Sequence, residues 1–187
     1  MSIEAGNLSD PWAVDAGATA DQAVADGGAG RTVLTQFISF AIGDDQYGVD
    51  IMAVREIKGW SQITKIPRQP DYMRGVLNLR GIMIPIIDLR CRFGQGMTEA
   101  TSLHIVIVVQ IGAQMVGLLA DRVLDIVGFN ASQIQPVPRI GHGSRADFLS
   151  GLVTIESGMI ALIDLSRVLS MPDGDGAEMP ATEPIAA

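Results

Sequence analysis

The chain states one apolar phrase twice, and a duplication of that length limits the fold more than any single motif does. Residues 75–89 read GVLNLRGIMIPIIDL and residues 151–165 read GLVTIESGMIALIDL, aligned without a gap at an offset of 76. Gly75/Gly151, Met83/Met159, Ile84/Ile160, Ile87/Ile163, Asp88/Asp164 and Leu89/Leu165 are identical. One position reverses its charge: Arg80 in the first copy is Glu156 in the second. Upstream, Ile42-Gly43 matches Ile111-Gly112, Gly48 matches Gly117, and Glu56-Ile57 matches Asp125-Ile126, at an offset of 69. Ile63 and Pro67 correspond to Ile134 and Pro138. The second copy therefore carries seven extra residues, expected in the polar stretch Gly141–Asp147. Periods this long describe paired subdomains rather than a solenoid.

Each copy reads as short strands. Gln36–Ile42 is β-rich, Gly43-Asp44-Asp45 supplies turn chemistry, and Gln46–Ile51 resumes as a strand, which is a hairpin pattern. Ile105–Ile111, Gly112-Ala113 and Gln114–Leu119 repeat it. Met52–Ile57 fits a short helix or a continuing strand. Met73–Arg80 turns at Gly81 into Ile82–Ile87, and the second copy turns at Ser157-Gly158. Pro85 lies inside a strand and should sit at an edge or a bulge, since it has no ladder donor. Asp88 and Asp164 stand where N-caps of short helices belong, ahead of Leu89–Phe93 and Leu165–Leu169. The expected fold is all-β: two five-stranded barrels around a shared hydrophobic core, with short helices. Halves of roughly 65 residues are marginal alone, so packing them together is useful.

Charge separates body from ends. Of the 21 acids, nine lie in residues 1–34 and 172–187, whereas 12 of the 13 bases lie in residues 35–171. The two ends are expected to be disordered acidic tails that serve solubility. The body is neutral, which argues against nucleic acid as a partner. The N-terminus is acidic without an apolar signal region, and no stretch approaches a membrane span. A single cysteine, Cys91, suits a reducing cytoplasm. Mean hydropathy is nonetheless positive, so some apolar surface is expected to be left for a partner.

The residues that could carry chemistry are few. Asp88 and Asp164 are equivalent acids in a duplicated all-β chain, which invites an aspartyl hydrolase reading; that chemistry needs a glycine-bearing turn, and neither acid has one. His104 and His142 have no ligand spacing to each other or to Cys91, so no metal site and no cofactor is expected. Arg80 differs, because its counterpart carries the opposite charge and Glu56 ends the preceding apolar block. An exposed pair of this kind contributes about 0–1 kcal/mol to folding. At an interface, the guanidinium fork orients a partner instead.

Tyr47-Gly48-Val49-Asp50-Ile51, Val54-Arg55-Glu56-Ile57, Gly75-Val76-Leu77-Asn78-Leu79-Arg80-Gly81 and Pro85-Ile86-Ile87-Asp88-Leu89-Arg90 resemble the CheW family, the coupling proteins of bacterial chemotaxis. The resemblance covers residues 35–171. It implies two SH3-like five-stranded subdomains and a role without catalysis: bridging chemoreceptor cytoplasmic tips to the regulatory domain of the histidine kinase CheA. By motif it assigns kinase binding to Val54, Glu56, Ile57 and Arg80, with a second contact at Arg139 and Ile140. It places a receptor helix in a groove near Met83, Ile105, Gly117, Val123 and Ile126. The resemblance is equally compatible with a chemotaxis-like pathway that controls pili or development. On either reading the protein is cytoplasmic and is recruited to membrane-associated receptor arrays.

Overall fold

A computed structural model describes residues 34–138 and 145–170. The expected tails lie outside the described residues apart from Leu34, as do His142, Arg139 and Ile140. Ten strands run in order: β1 (Thr35–Ile42), β2 (Asp45–Asp50), β3 (Val54–Gly59), β4 (Met73–Leu79), β5 (Ile82–Asp88), β6 (Ile105–Ile111), β7 (Gln114–Ala120), β8 (Arg122–Phe129), β9 (Leu149–Ile155) and β10 (Gly158–Ile163). Helix α1 (Leu89–Arg92) follows β5 and α2 (Leu165–Leu169) follows β10. Each is capped as the sequence requires: Asp88 accepts from the Cys91 amide and Asp164 from the Arg167 amide, both at 3.2 Å. Met52–Ile57 is neither of the two simple alternatives, since a 3₁₀ turn at Ile51–Ala53 leads into β3.

The strands do not sort by copy. One sheet has the order β8-β1-β2-β10-β9 and the other β3-β6-β7-β5-β4. The β1–β2 hairpin of the first copy thus completes a sheet otherwise built from the second, and β6–β7 does the converse. This corrects the expectation of one barrel per copy. The sheets also keep outer strands, β8 and β9 in one and β3 and β4 in the other, so they are curled SH3-like sheets rather than closed barrels. The exchange is sealed by two parallel contacts, β2 with β10 and β5 with β7. Gly48 faces Leu162 in the first and Gly117 faces Ile86 in the second, the same pairing by repeat position. A Cβ at Gly48 would stand 2.9 Å from Leu162 Cδ2, and one at Gly117 would meet Ile86 Cδ1 and lie 2.7 Å from Val106 Cγ1. Glycine at both seams is a packing requirement.

Burial on both faces explains the high apolar content. Ile107, Val109, Val116 and Leu118 of one sheet pack with Ile38, Phe40, Tyr47 and Val49 of the other in the shared core. The alternate residues Val106, Val108, Ile84, Ile86 and Leu77 form a second cluster on their own sheet. Phe37, Phe129, Val153, Ile160 and Leu162 form a third on the other. The apolar run Ile105–Val109 is therefore a strand buried on both sides. These three clusters take up much of the apolar content, while Met52, Ile57 and Ile126 are among the large apolar side chains left exposed. Pro85 lies in an interior strand, β5, whose pairing with β7 spans only Ile86–Asp88, so at Pro85 that side of the strand is locally an edge. Two of the seven extra residues fall before Ile134, where a 3₁₀ turn forms at Ala131–Gln133, and the rest follow Pro138.

Arg92 ties the repeat together at the helices. Its guanidinium lies 4.3 Å from the Tyr72 ring centroid and 4.7 Å from that of Phe148, two residues in equivalent positions of the copies. It also donates to the carbonyls of Val168 and Ser170 at the end of α2.

Candidate adaptor surface

The turn between β4 and β5 is the two-residue loop Arg80-Gly81, with φ of 54° and 89°. Positive φ at both positions is the type I′ geometry that matches strand twist, and Asn78 Oδ1 accepts from the Gly81 amide to hold it. Arginine is a costly choice there, since a side chain in the left-handed region costs on the order of 1 kcal/mol. The equivalent turn, Glu156-Ser157, avoids positive φ at both residues. The copies differ in backbone as well as in charge at this point.

The strained turn directs Arg80 toward the opposite end of its own sheet. Arg80 Nη2 lies 3.3 Å from Glu56 Oε2 on the outer strand β3, with the Arg80 side chain 82% exposed and that of Glu56 30% exposed. Glu56 reaches this position because β3 bulges: Val54 faces Val109 and Glu56 faces Val108, leaving Arg55 unpaired. Arg55 Nε donates to Gln110 Oε1 at 2.7 Å. Ile57 is exposed and Val54 half-buried on the same strand, and their partners Ile107 and Val109 set them on the shared-core side, opposite Glu56. Four of the predicted kinase-binding residues thus come from one edge and its adjoining turn. Sequence reasoning missed Met52, which is 79% exposed just before β3. The available signal was its counterpart at the offset of 69, Asp121, which is polar.

The predicted groove residues are less alike. Ile126 is 54% exposed on β8. Ile105 and Val123 are half-buried against the shared core, and Met83 is half-buried on β5. Gly117 is buried at the β5–β7 seam, so any substitution there acts first on packing.

The remaining polar groups are committed elsewhere. Asp88 is fully buried and accepts from Arg74 Nη1 at 2.9 Å, the Thr98 amide at 2.8 Å and Thr98 Oγ1 at 2.7 Å, besides the Cys91 amide. Asp164 pairs with Arg167 Nε at 3.1 Å. The two acids share no partner among these, which is not the arrangement of a proton-sharing dyad. Asp121 accepts from the Gly43 amide and Arg90 Nη2, both at 2.7 Å, and its other oxygen lies 3.6 Å from His104 Nε2. His104 Nδ1 accepts from the Thr101 amide at 3.0 Å. Burial, with the Asp88 charge second, pushes the Cys91 thiol up. Among the described residues no group of three or more His, Cys, Asp or Glu could hold a metal ion, and no helix is long and apolar enough to cross a membrane.

Comparison with known proteins fits this geometry. The chain is 39% identical to chemotaxis protein CheW of Klebsiella aerogenes over 142 residues, covering 76% of this chain and 86% of the relative. It is 42% identical to a probable chemotaxis protein CheW of Rhizobium etli, covering 76% and 92%. The crystal structure of the scaffolding protein TtCheW from Thermoanaerobacter tengcongensis superposes with a TM-score of 0.70 at 30% identity, over 79% of this chain and 96% of that one. Residues 36–173 match the CheW-like domain, which spans the whole exchanged pair of sheets, and the chain belongs to that family.

Proposed function

We propose that the chain is a non-catalytic chemotaxis adaptor that couples chemoreceptor cytoplasmic tips to the histidine kinase CheA. The observation that carries this reading is the Glu56–Arg80 pair. It is exposed, it links an outer strand to a strained turn, and the second copy cannot form it. An exposed pair contributes little to folding, about 0–1 kcal/mol. Its bidentate donor and paired acceptor suit the recognition of a partner surface with complementary charge. Val54 and Ile57 on β3 and Met52 just before it supply apolar groups along the same edge, suited to such an interface. The kinase regulatory domain is assigned to this edge, with Arg139 and Ile140 as the second contact. The receptor helix is assigned to the groove lined by Met83, Ile105, Val123 and Ile126, with Gly117 shaping the seam beneath it. The site of action is the cytoplasm, at receptor arrays.

Co-purification of the full chain against the CheA regulatory domain and a receptor cytoplasmic-tip fragment, run separately, tests the reading. Capture of both supports coupling. Capture of neither removes it.

A further inference from the structure

Both members of the Glu56–Arg80 pair sit on irregular backbone, and each irregularity has its own hydrogen-bonded hold. Arg80 occupies the first central position of the I′ turn, where its φ of 54° is one that arginine disfavours. Asn78 secures this turn, its Oδ1 accepting from the Gly81 amide at 2.8 Å. Glu56 follows the bulge residue Arg55 on β3. A bulge re-aims the side chains beside it, so whatever holds the bulge also sets the direction of Glu56. Gln110 is that hold. Its Oε1 accepts from Arg55 Nε at 2.7 Å, and its Nε2 donates to the Gly112 carbonyl at 2.9 Å in the β6–β7 turn. Val108, the partner of Glu56, lies two residues from Gln110 on β6, so the two share a face of the sheet. The Gln110 side chain thus ties the bulge to the neighbouring hairpin on the side where Glu56 projects.

The second copy has the same framework without these holds. Asn78 becomes Thr154, and the turn after it, Glu156-Ser157, has no positive φ at either residue. Gln110 becomes Ala41 and Arg55 becomes Leu124, so the bulge on β8 has neither end of that bond. There Ser39 on β1 holds the backbone of Asp125 instead, donating to its carbonyl at 2.9 Å and accepting from its amide at 3.0 Å. Asp125, the counterpart of Glu56, accepts from the Ile126 amide with Oδ1 at 2.7 Å. That oxygen is engaged within its own strand rather than extended to a turn. The copies therefore differ in the backbone supports beneath the charges as well as in the charges.

We infer that Asn78 and Gln110 are positioning residues for kinase coupling: Asn78 sets the turn that presents Arg80, and Gln110 sets the bulge that presents Glu56. Each acts through the pair, and neither is among the contacts assigned to the kinase. The inference rests on the kinase reading of that pair and adds what holds it in place.

Affinity for the kinase regulatory domain, measured by titration calorimetry on the full chain, tests it. Asn78→Ala and Gln110→Ala should each weaken binding about threefold to tenfold. Asn78→Asp and Gln110→Glu keep the accepting oxygen and should recover most of the loss. The deciding readout is a pair of double-variant cycles. In an Arg80→Ala background Asn78→Ala should have no further effect, and in a Glu56→Ala background neither should Gln110→Ala. An equal loss with and without the pair overturns the inference and leaves the kinase reading standing. Wild-type affinity in both single variants overturns it too. If the wild-type chain does not bind the kinase domain, the kinase reading falls, and the pair itself is read instead. The NMR shift of the Glu56 carboxyl carbon should then move in Asn78→Ala and Gln110→Ala as it does in Arg80→Ala. A shift that moves only in Arg80→Ala overturns the positioning assignment.

Discussion

Arg80 stands 3.3 Å from Glu56 across two ends of one curled sheet, and it does so from a left-handed backbone that arginine does not favour. Glycine at position 80 relieves that strain, on the order of 1 kcal/mol, and forfeits an exposed pair worth about 0–1 kcal/mol. Arg80→Gly should therefore fold with a urea midpoint equal to or above that of the wild type. Its affinity for the kinase regulatory domain should nonetheless drop about tenfold or more. Arg80→Glu should show the same split with like charges facing each other. A variant that loses stability and keeps kinase binding would show that the pair serves the fold and not the partner.

The seam glycines differ in tolerance. At Gly48 the atoms in the way are Leu162 Cδ2 and Ile160 Cγ2, and the first is the mobile end of its side chain. At Gly117 one obstacle is Val106 Cγ1, attached to a branched β-carbon of the paired strand β6, and the other is Ile86 Cδ1. Gly117→Ala should cost roughly 1–3 kcal/mol, more than Gly48→Ala. Ile86→Val removes the Cδ1 obstacle, so the double variant should regain part of the loss. Denaturation midpoints of the wild type, the three single variants and the double variant check this, and strict additivity in the double variant would count against a direct clash.

Much of this molecule was legible in its sequence, for reasons that are local. Glycine-bearing turns and helix caps are decided within a few residues, so the hairpins, the ends of β4 and β5 and both capping aspartates follow from composition and spacing. Comparing the copies singled out Arg80 by its reversed charge, and its pairing with Glu56 was implied by the family resemblance. The exchange of hairpins was not legible, because β2–β10 and β5–β7 are long-range parallel contacts whose sequence trace is only a glycine at position 48 or 117 opposite a branched residue. The packing role of Gly117 was hidden for the same reason: it depends on Ile86 and Val106, which no periodicity brings beside it. The left-handed conformation of Arg80 was also hidden, since the I′ turn favours Asn or Gly at that position.

The equivalent acids Asp88 and Asp164 should be unequal in cost. Asp88 is fully buried and accepts four hydrogen bonds, one from a guanidinium. Asp88→Asn keeps the shape but sets an amide group against donors and leaves Arg74 without its counter-charge, at a cost of about 3–5 kcal/mol. Asp164 caps α2 from a partly exposed position, and asparagine is also a good cap, so Asp164→Asn should cost under about 1 kcal/mol. Thermal unfolding of the two variants separates them. Equal costs would contradict the buried network drawn around Asp88.

Tyr47 makes high pH a probe of the shared core. Its ring stacks between Phe40 and Phe93, at centroid distances of 6.0 and 5.1 Å. Burial holds its phenolic proton above the usual value, the hydrogen bond from Arg145 opposes this, and the charge of Asp45 reinforces it. In the unfolded chain tyrosine loses its proton near pH 10. Above that pH the unfolded state therefore binds fewer protons than the folded state, and stability falls as pH rises. Below it both states are protonated and the contribution is fully present. The urea midpoint of the wild type should accordingly decline above about pH 10, with a shallower decline in Tyr47→Phe. Arg145→Ala removes the opposing hydrogen bond, raises the folded-state value further, and should steepen the decline without changing where it begins. Parallel profiles for wild type and Tyr47→Phe would mean that the phenol titrates alike in both states, and that burial in the core does not govern it.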